Sequence, residues 1–509
     1  MSTRPTKSNV IQGFLSLVIC LCLSFQAQGN EGLFDKGLTR AEAAADLKFY
    51  FKVIDEQHGN PYLYISRDDF QLLIEEKVAS LPAQVSFHEL TNILIELNQK
   101  IRCGHTLVSI DKNQFEPVSS QANFFPYPLS IIDEQLFIDF EEGDLPHASR
   151  IVSINGTPAS TILNELSKLP VTDGLIETKI LRDIEKKFGY YFFLRYGAYK
   201  EFRVGYVMPD GTTGESLVAA SDARKMLSNN YYRPLYKTHE RYIHFTHLDA
   251  IDSLHTLVLT LNTFNTHPEW FYERIKSSYD EDSKQFDFDN LVIDSRNNEG
   301  GDRRLLNILY QLVSGSALSD PSLNSTRSLE IGQEQLEAIN GSVANDAVQK
   351  AETYLSNHFV PISAGKFSSE KHDWYAKEFK LDMDLSDLQF KGNVYVLTSG
   401  NTFSAAADLA RILGQLDHVK LIGEETGGAH ESRTANMLLS YELPQTGMKV
   451  QVPVIYEQFV NAVADNGKGR GTFPDFYVTQ TLEDLVSHKD SAFEFALELI
   501  QQSSRLGSN

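Results

Sequence analysis

The chain has 509 residues, of which 42% are hydrophobic and 11% aromatic, and its formal net charge is −22 at pH 7. A chain of this length can form about two or three domains with proper cores. Its acidic balance disfavours nucleic acids and anionic membrane surfaces as partners, because both repel negative charge.

Residues 1–29 have the pattern of a secretion signal. Arg4 and Lys7 precede an apolar run over residues 14–25, and the small-residue stretch 27–29 is typical of a cleavage site. We therefore predict an exported protein, periplasmic or extracellular, without stable membrane insertion once the signal is removed. An uncleaved membrane anchor at the N-terminus is the alternative, although the apolar run is short for a membrane span.

Cysteine usage is compatible with export. Cys20 and Cys22 lie in the predicted signal, so the mature chain keeps only Cys103 and can form no internal disulfide. Cys103 stands two residues before His105, which suggests a Cys–His nucleophile pair. We interpret Cys103 instead as a small buried residue.

A helical region is predicted over residues 30–112. Strong helix formers fill residues 41–47 and 72–78, and residues 87–97 have an amphipathic helical pattern. The polar stretch 113–128 is predicted to be a linker that opens the next module.

Residues 113–225 are predicted to form a β-rich module. Asn155-Gly156 and Asp210-Gly211 are typical turn pairs. The segment 151–158, followed by a helical pattern over 162–169, resembles the heart of a PDZ domain. PDZ domains bind peptide ends by strand addition. No clear carboxylate-binding loop is present, so a peptide-binding role and a purely structural role both stay open.

Residues 226–485 are predicted to form an α/β core, since strand and helix patterns alternate over 242–314 and 391–480 as in α/β layer folds. Residues 315–390 are predicted to be a polar, helix-prone insertion that serves as a lid, a dimer arm or a surface elaboration. Residues 486–509 are predicted to be a C-terminal helix and tail.

Two strand–loop–helix junctions in this core carry polar residues. One strand pattern ends at Asp294 and opens into a polar loop with Gly300 and Gly301, whose backbone can approach a ligand closely. A phosphate-binding loop is disfavoured there, because the lysine–hydroxyl ending is missing. The other junction places Ser404 at a helix start, where free N–H groups can stabilise negative charge. Ser404 is either a helix N-cap or a nucleophile.

Five motifs resemble, in order, those of the S41 serine peptidases, the tail-specific or C-terminal-processing proteases. They include the x-Gly-His-Thr of the tricorn-like branch and the closing Gly-x-x-Pro-Asp of the family. The motifs are Cys103-Gly104-His105-Thr106, Asp294 to Gly301, Thr402-Phe403-Ser404, Gly423 to Gly428, and Gly471 to Asp475. The resemblance covers most of residues 90–480.

The resemblance implies roles for individual residues. Ser404 would be the nucleophile, and the N–H groups of Ala405 and of Gly300 or Gly301 would bind the oxyanion. The lysine that bacterial members use as base is replaced by Ala429, which leaves His105 as the general base and His430 in reserve. A histidine base gives a rate that falls as the pH drops through about 6–7.

The residue that would orient the base departs from the pattern. Alignment on Gly471 and Pro474-Asp475 places Lys468 where the tricorn-like branch has a glutamate, and a lysine cannot accept the hydrogen bond. Another acid can substitute, or the enzyme works with a dyad. The substitute acids are Glu425, Glu431 and Asp465.

The resemblance as a whole implies an α/β fold with a crotonase/ClpP-like catalytic core. It implies an exported serine peptidase that hydrolyses polypeptides through an acyl-enzyme on Ser404, with homo-oligomerisation left open. The histidines are scattered without metal-ligand spacing, so no metal and no cofactor is predicted. The alternatives are a catalytically impaired binding protein of the same fold, an interaction scaffold, and a serine esterase, although Ser404 lacks the flanking glycines of an esterase motif.

Overall fold

A computed structural model describes residues 37–238, 246–277, 279–280, 285–363, 365–369, 389–462 and 467–507. The predicted signal at 1–29 therefore lies outside the described residues. Within the described part of the chain, no helix is long and apolar enough to span a bilayer.

The N-terminal region is helical, as predicted. Its elements are β1 Gly37–Thr39, α1 Arg40–Gln57, α2 Arg67–Ser80, β2 Gln84–Ser86, α3 Phe87–Ile101 and β3 Leu107–Ser109. Thr39, Ser66 and Ser86 cap the three helices by accepting backbone N–H bonds at the helix starts. Arg102 is the C-cap of helix α3, and its φ of 54° turns the chain toward Cys103 and His105.

The next module combines a six-stranded antiparallel sheet with helices. Its elements are α4 Lys112–Ser119, β4 Leu129–Ile132, β5 Gln135–Ile138, β6 Arg150–Ile154, β7 Thr157–Pro158, α5 Ala159–Leu166, α6 Glu177–Tyr196, β8 Glu201–Val207, β9 Thr213–Ala219, α7 Ala223–Asn229 and α8 Pro234–Thr238. The strand order is β4-β5-β6-β8-β9, with β7 beside β6.

Two features of this module differ from the sequence prediction. The predicted linker is wrong where α4 forms, because Asp111 caps a helix whose residue Val118 is buried. The long helix α6 was not predicted either; it kinks at Lys187 and buries aromatic side chains on α5 and the sheet. The PDZ-like character of the module stays a prediction.

The remaining strands and helices follow in chain order. They are β10 Thr246–Ile251, β11 Thr256–Leu261, α9 Pro268–Lys276, β12 Tyr279–Asp280, β13 Gln285–Phe286, β14 Asn290–Asp294, α10 Arg304–Ser314, β15 Ser322–Thr326, β16 Leu336–Ile339, β17 Ser342–Val343, α11 Ala344–His358, β18 Phe359–Ser363, β19 Lys366–Ser369, β20 Asn393–Thr398, α12 Ala405–Leu413, β21 Val419–Gly423, β22 Ser432–Glu442, β23 Lys449–Phe459, β24 Phe476–Tyr477, α13 Leu482–Ser487 and α14 Ser491–Gly507.

The predicted strand–helix alternation forms a six-stranded sheet of order β10-β11-β14-β20-β21-β24. Strand β10 is antiparallel to β11, and the other neighbours pair in parallel. Helices α10 and α12 bury their leucine faces on one side of the sheet, and α14 covers the other side. Because β14, β20 and β21 run in parallel, the three polar loops that follow them lie at the same edge, where α/β sheets usually bind ligands.

The described residues of segment 315–390 differ from the prediction of a helix-prone insertion. They form helix α11 and also the five strands β15–β19, which join β22 and β23 in an eight-stranded antiparallel sheet. Strand β3 of the N-terminal region pairs with β23 in the same sheet. Strands β15–β19 are therefore part of the sheet that faces the polar loops.

Candidate active site

Ser404 occupies a sharp turn directly before α12. Its φ of 52° and ψ of −126° are unusual for a residue with a side chain, which indicates a strained backbone. Ser404 holds the N-cap position of α12, but its side chain makes no capping hydrogen bond to the helix. Ser404 is partly exposed, whereas residues 401–403 and 405–413 around it are buried.

Hydrogen bonds between the motif loops hold this turn. The Thr402 hydroxyl donates to the Ser295 carbonyl at 3.0 Å, and the Phe403 N–H donates to the Asn298 carbonyl at 3.0 Å. On the other side, the Gly427 N–H donates to the Thr402 carbonyl at 2.9 Å. The loops after β14, β20 and β21 thus fix the position of Ser404 together.

His105 reaches Ser404 from the N-terminal part of the chain. Its Nε2 lies 3.1 Å from the Ser404 Oγ, within hydrogen-bond distance. Its ring packs against the Phe403 ring in a tilted arrangement, with the centroids 4.9 Å apart and the planes inclined by 32°. Burial, assisted by the nearby Arg433, lowers the pKa of His105 to about 3, so the ring is neutral at physiological pH and Nε2 can accept a proton.

The predicted oxyanion donors differ in their surroundings. The Gly300 N–H donates to the Asn298 Oδ1 at 2.9 Å, so that group is already engaged. The Ala405 N–H belongs to the first residue of α12 and has no acceptor within the helix. Gly301 lines the same cavity as Ser404 and His105.

A buried ionic network lies beneath the Ser404–His105 pair. Glu457 on β23 accepts from Arg433 at 2.5 Å and from Arg303 at 3.2 Å. Arg433 also pairs with Asp408 on α12. Burial alone would raise the pKa of Glu457, but Arg433 and Arg303 lower it to about 2, so the carboxylate stays ionised. The network connects the eight-stranded antiparallel sheet to α12, the helix that begins after Ser404.

A cavity of about 800 Å³ opens onto Ser404 and His105. It lies between the polar loops, the eight-stranded sheet and α11. Its polar lining includes Arg303, Lys350 and Arg433, and its apolar lining comes mainly from α11 and from strands of the eight-stranded sheet. The cavity is large enough for several side chains of a bound peptide.

The model of peptidase family S41 matches residues 255–478, a segment that includes Ser404 and all three polar loops. These residues belong to peptidase family S41. The chain is thus a serine-type peptidase by class, as the motifs implied. His105 precedes the matched segment, and the fold brings it to Ser404. No curated protein sequence matches the chain.

Solved structures extend the similarity over most of the chain. Mature CPAF aligns with a TM-score of 0.57 at 13% identity, covering 92% of this chain and 98% of that chain. A serine-to-alanine mutant of CPAF aligns with a TM-score of 0.59 at 14% identity, covering 92% and 98%. At these identities the likeness concerns the fold. The tricorn protease aligns with a TM-score of 0.41 at 14% identity, covering 91% of this chain and 37% of that chain.

Other predicted site residues of the peptidase have partners away from Ser404. The Lys468 ammonium is exposed; it donates to the Leu63 carbonyl at 3.1 Å and lies 5.5 Å from the centroid of the Tyr64 ring. The His430 Nδ1 bonds the Thr472 hydroxyl at 3.0 Å, and burial lowers the pKa of His430 to about 4.

The substitute acids are also engaged or outside the described part. Glu425 pairs with Arg470 at 2.6 Å and accepts the Gly471 N–H at 2.7 Å. Glu431 accepts the Gly469 N–H at 2.6 Å. Asp465 lies outside the described residues.

One group of potential metal donors occurs beside the pair. A Cys103 sulfur, a His105 ring nitrogen and an Asp173 oxygen all lie within 4.8 Å of one another. The surroundings fit a cation poorly. Burial raises the pKa of the Cys103 thiol to about 12, so the sulfur is protonated, and the Arg433 charge acts on both His105 and Asp173.

No sequence pattern pointed to four further residues of the site, namely Asp173, Arg303, Arg433 and Glu457. These residues lie outside the family motifs, and a charged residue without a motif is normally expected at the solvent-exposed surface. Their approach to Ser404 follows from the pairing of β22 with β23 and from the turn between α5 and α6, which only the folded chain shows.

Proposed function

We propose that the protein is an exported serine endopeptidase, or carboxyl-side processing peptidase, that cleaves polypeptides through an acyl-enzyme on Ser404. The observation that carries this proposal is the 3.1 Å approach of the His105 Nε2 to the Ser404 Oγ. The export part rests on the signal pattern of residues 1–29.

His105 acts as the general base in this mechanism. Because burial keeps the ring neutral, Nε2 takes the Ser404 proton as Oγ attacks the scissile carbonyl carbon. The imidazolium then gives the proton to the leaving amine, and an acyl ester remains on Ser404. Water, deprotonated by the same nitrogen, hydrolyses the ester and releases the second product.

The oxyanion is bound by two backbone N–H groups. Ala405 supplies one, at the positive end of α12. Gly301 supplies the other, because the N–H of Gly300 is already bonded to Asn298. Gly300 serves instead as a close-packed spacer: a Cβ on it would lie 2.8 Å from the Ser404 Cβ.

The test pairs Ser404→Ala with Cys103→Ala as a matched control. We expect Ser404→Ala to lose hydrolysis of casein by a factor on the order of 10⁶ and to lose labelling by a fluorophosphonate probe, with its thermal unfolding midpoint unchanged. Cys103→Ala should keep both activities. Peptide mapping of the labelled enzyme should locate the probe on Ser404.

The same variants separate the alternatives. Ser404→Ala with more than a few per cent of wild-type turnover contradicts the proposal. Fluorophosphonate labelling without cleavage of any polypeptide, together with turnover of short acyl esters, would favour a serine esterase. A wild-type protein that is neither labelled nor active would favour a binding protein that keeps the fold.

A further inference from the structure

The base of the proposed pair has an unsatisfied nitrogen. The His105 Nδ1 is buried and has no hydrogen-bond partner in the described part of the chain. A histidine base needs an acceptor or a negative charge on that side, both to hold the ring and to stabilise the imidazolium that forms. The glutamate position of the tricorn-like branch, occupied here by Lys468, supplies neither.

Asp173 is placed to supply the charge. It lies in the loop between α5 and α6 and is only 4% exposed. One of its carboxylate oxygens is within 4.8 Å of a His105 ring nitrogen. Its Oδ1 accepts the N–H of Gly104, the residue before His105, at 2.7 Å, and the carboxylate also accepts the Ala429 N–H. Asp173 therefore fixes the backbone that carries His105.

The other acids near the pair already have cation partners. Glu457 is bonded to Arg303, Arg433 and Asn436, and Asp408 is paired with Arg433. Among the described residues, no cation lies within 4 Å of the Asp173 carboxylate, as the ion pairs around the site show. Its negative charge is thus not cancelled by a direct ion pair, although Arg433 acts on it through space.

We propose that Asp173 is the positioning residue for His105. We also propose that the ionisation of Asp173 sets the acid limb of the pH–activity profile, that is, the pH at which activity falls on acidification. This inference rests on the proposed function. In the step that forms the acyl-enzyme, the proton moves from the Ser404 Oγ to the His105 Nε2, and Nδ1 keeps its own proton. Asp173 stays ionised throughout and stabilises the imidazolium through space.

The titration of the pair distinguishes this role from a structural one. Burial raises the pKa of Asp173 to about 6, whereas burial lowers the pKa of His105 to about 3. If the Asp173 charge is required, activity falls as the pH drops through about 6; if it is not, activity persists toward pH 3–4. The charged and titratable groups that face Asp173 are Tyr64, Cys103, His105, Asp408 and Arg433.

The experiment measures the rate of Ser404 labelling by a fluorophosphonate from pH 4 to 8, which requires no knowledge of the natural substrate. Asp173→Asn keeps an oxygen that can accept from Gly104 and Ala429 but loses the charge. An opposite charge within about 4–6 Å shifts a pKa by about 1–3, so we expect the plateau rate to fall about 10- to 10³-fold. We also expect the acid limb to move from near pH 6 to below pH 5.

Asp46→Asn is the matched control. Asp46 is buried too, accepts the N–H groups of Gln445 and Thr446, and has a pKa raised by burial. It belongs to the contact between α1 and the turn before β23, so its variant should keep the wild-type limb and plateau. Asp173→Glu restores a carboxylate and should return the limb to near pH 6.

Several outcomes would overturn the inference without touching the proposed function. A wild-type acid limb below pH 4 contradicts it directly, even where Asp173→Asn fails to fold. So does an Asp173→Asn limb that coincides with the wild-type limb. In both cases Ser404→Ala and His105→Ala would still be inactive. If Ser404→Ala keeps its activity, the proposed function itself fails.

Discussion

At the residue scale, the pairing of Ser404 with His105 depends on where each charge lies. The ring of His105 is kept neutral by burial and by the positive charge of Arg433, with Glu457 acting in the opposite direction. A neutral ring can accept the Ser404 proton, but it becomes a strong enough base only when a negative charge compensates the imidazolium. The balance between Arg433 and its acidic neighbours thus decides how reactive Ser404 is.

His105→Ala and Lys468→Ala test which side chain acts as the base. We expect His105→Ala to be nearly as inactive as Ser404→Ala, because the nitrogen 3.1 Å from the Ser404 Oγ is removed. Lys468→Ala should keep most of its turnover on casein, since its ammonium is exposed and bonded to the Leu63 carbonyl. An inactive Lys468→Ala beside an active His105→Ala would show that a lysine has taken over the role of the base.

The sequence predicted the proposed pair of Ser404 and His105, but not the residues that surround it. Ser404 and His105 stand in short motifs, and the structure brings them together across 299 positions. The sequence left open which residue orients the base, since Lys468 occupies the family's glutamate position; in the structure the Lys468 ammonium is exposed and lies beside the Tyr64 ring. Asp173 could not be predicted, since a lone aspartate in a loop carries no pattern that distinguishes it from a solvated one.

At the element scale, the loops after β14 and β20 pack against each other with no spare room. Gly300 has a φ of 96°, and a Cβ on it would lie 2.8 Å from the Ser404 Cβ and 2.9 Å from the Ala405 nitrogen. Glycine is therefore required for two reasons, backbone conformation and close approach. The close approach places the proposed oxyanion donors beside Ser404.

Gly300→Ala and Gly211→Ala separate these two reasons. Gly211 has a φ of 88° in the turn between β8 and β9, and a Cβ on it would meet nothing within 4 Å. Gly211→Ala should cost about 1 kcal/mol of stability from backbone strain and keep full activity. In Gly300→Ala the new Cβ also displaces Ser404, in addition to the backbone strain. We therefore expect at least a 100-fold loss of kcat on casein. Equal activity of the two variants would contradict the packing argument.

The segment 315–390 shows why an element can be missed. Strand β15 alternates in burial, but its inward residues Ser322, Asn324 and Thr326 are polar, while Leu323 is 42% exposed. The alternation of hydrophobic and polar residues that indicates a half-buried strand is therefore absent. By contrast, β14 and β20 are continuous apolar runs, and α12 has a regular apolar face, so these elements were predicted correctly.

At the scale of the whole molecule, the site exists only when distant parts of the chain meet. Ser404 follows β20 of the mostly parallel six-stranded sheet, and Arg433 and Glu457 lie on the eight-stranded sheet. The N-terminal region supplies His105. His58 at the end of α1 joins these parts: its Nε2 lies 2.8 Å from the Thr106 hydroxyl, next to His105. The Gly59 N–H donates to the Pro453 carbonyl on β23 at 2.9 Å.

This assembly should make the protein sensitive to acid. The His58 Nδ1 accepts the Asn60 N–H at 3.1 Å, which requires the neutral ring, and burial lowers the pKa of His58 to about 3. The unfolded chain binds a proton on this histidine below its ordinary pKa of about 6.5. The stabilisation is therefore complete above pH 6.5 and is lost as the pH falls from there toward about 3.

Two other histidines contribute to the pH dependence of stability in the same direction as His58, and one acid contributes in the opposite direction. Burial also lowers the pKa of His105 to about 3 and that of His430 to about 4, whereas it raises the pKa of Asp173 to about 6. Between about pH 4 and 6, the three histidines should each bind a proton on unfolding, whereas Asp173 should release one. Unfolding should therefore be accompanied by the uptake of a net of about two protons by these four groups. Each proton corresponds to about 1.4 kcal/mol of unfolding free energy per pH unit.

His58→Gln tests this account, with His255→Gln as the control on an exposed histidine. The free energy of unfolding is measured by urea denaturation from pH 4.5 to 6.5. We expect the slope against pH to be positive in the wild type and to drop by about one proton in His58→Gln, because the buried neutral ring is gone. His255→Gln should keep the wild-type slope. A His58→Gln slope equal to that of the wild type would show that the acid sensitivity has another origin, and a protein that gains stability on acidification would contradict the neutral state assigned to all three buried histidines.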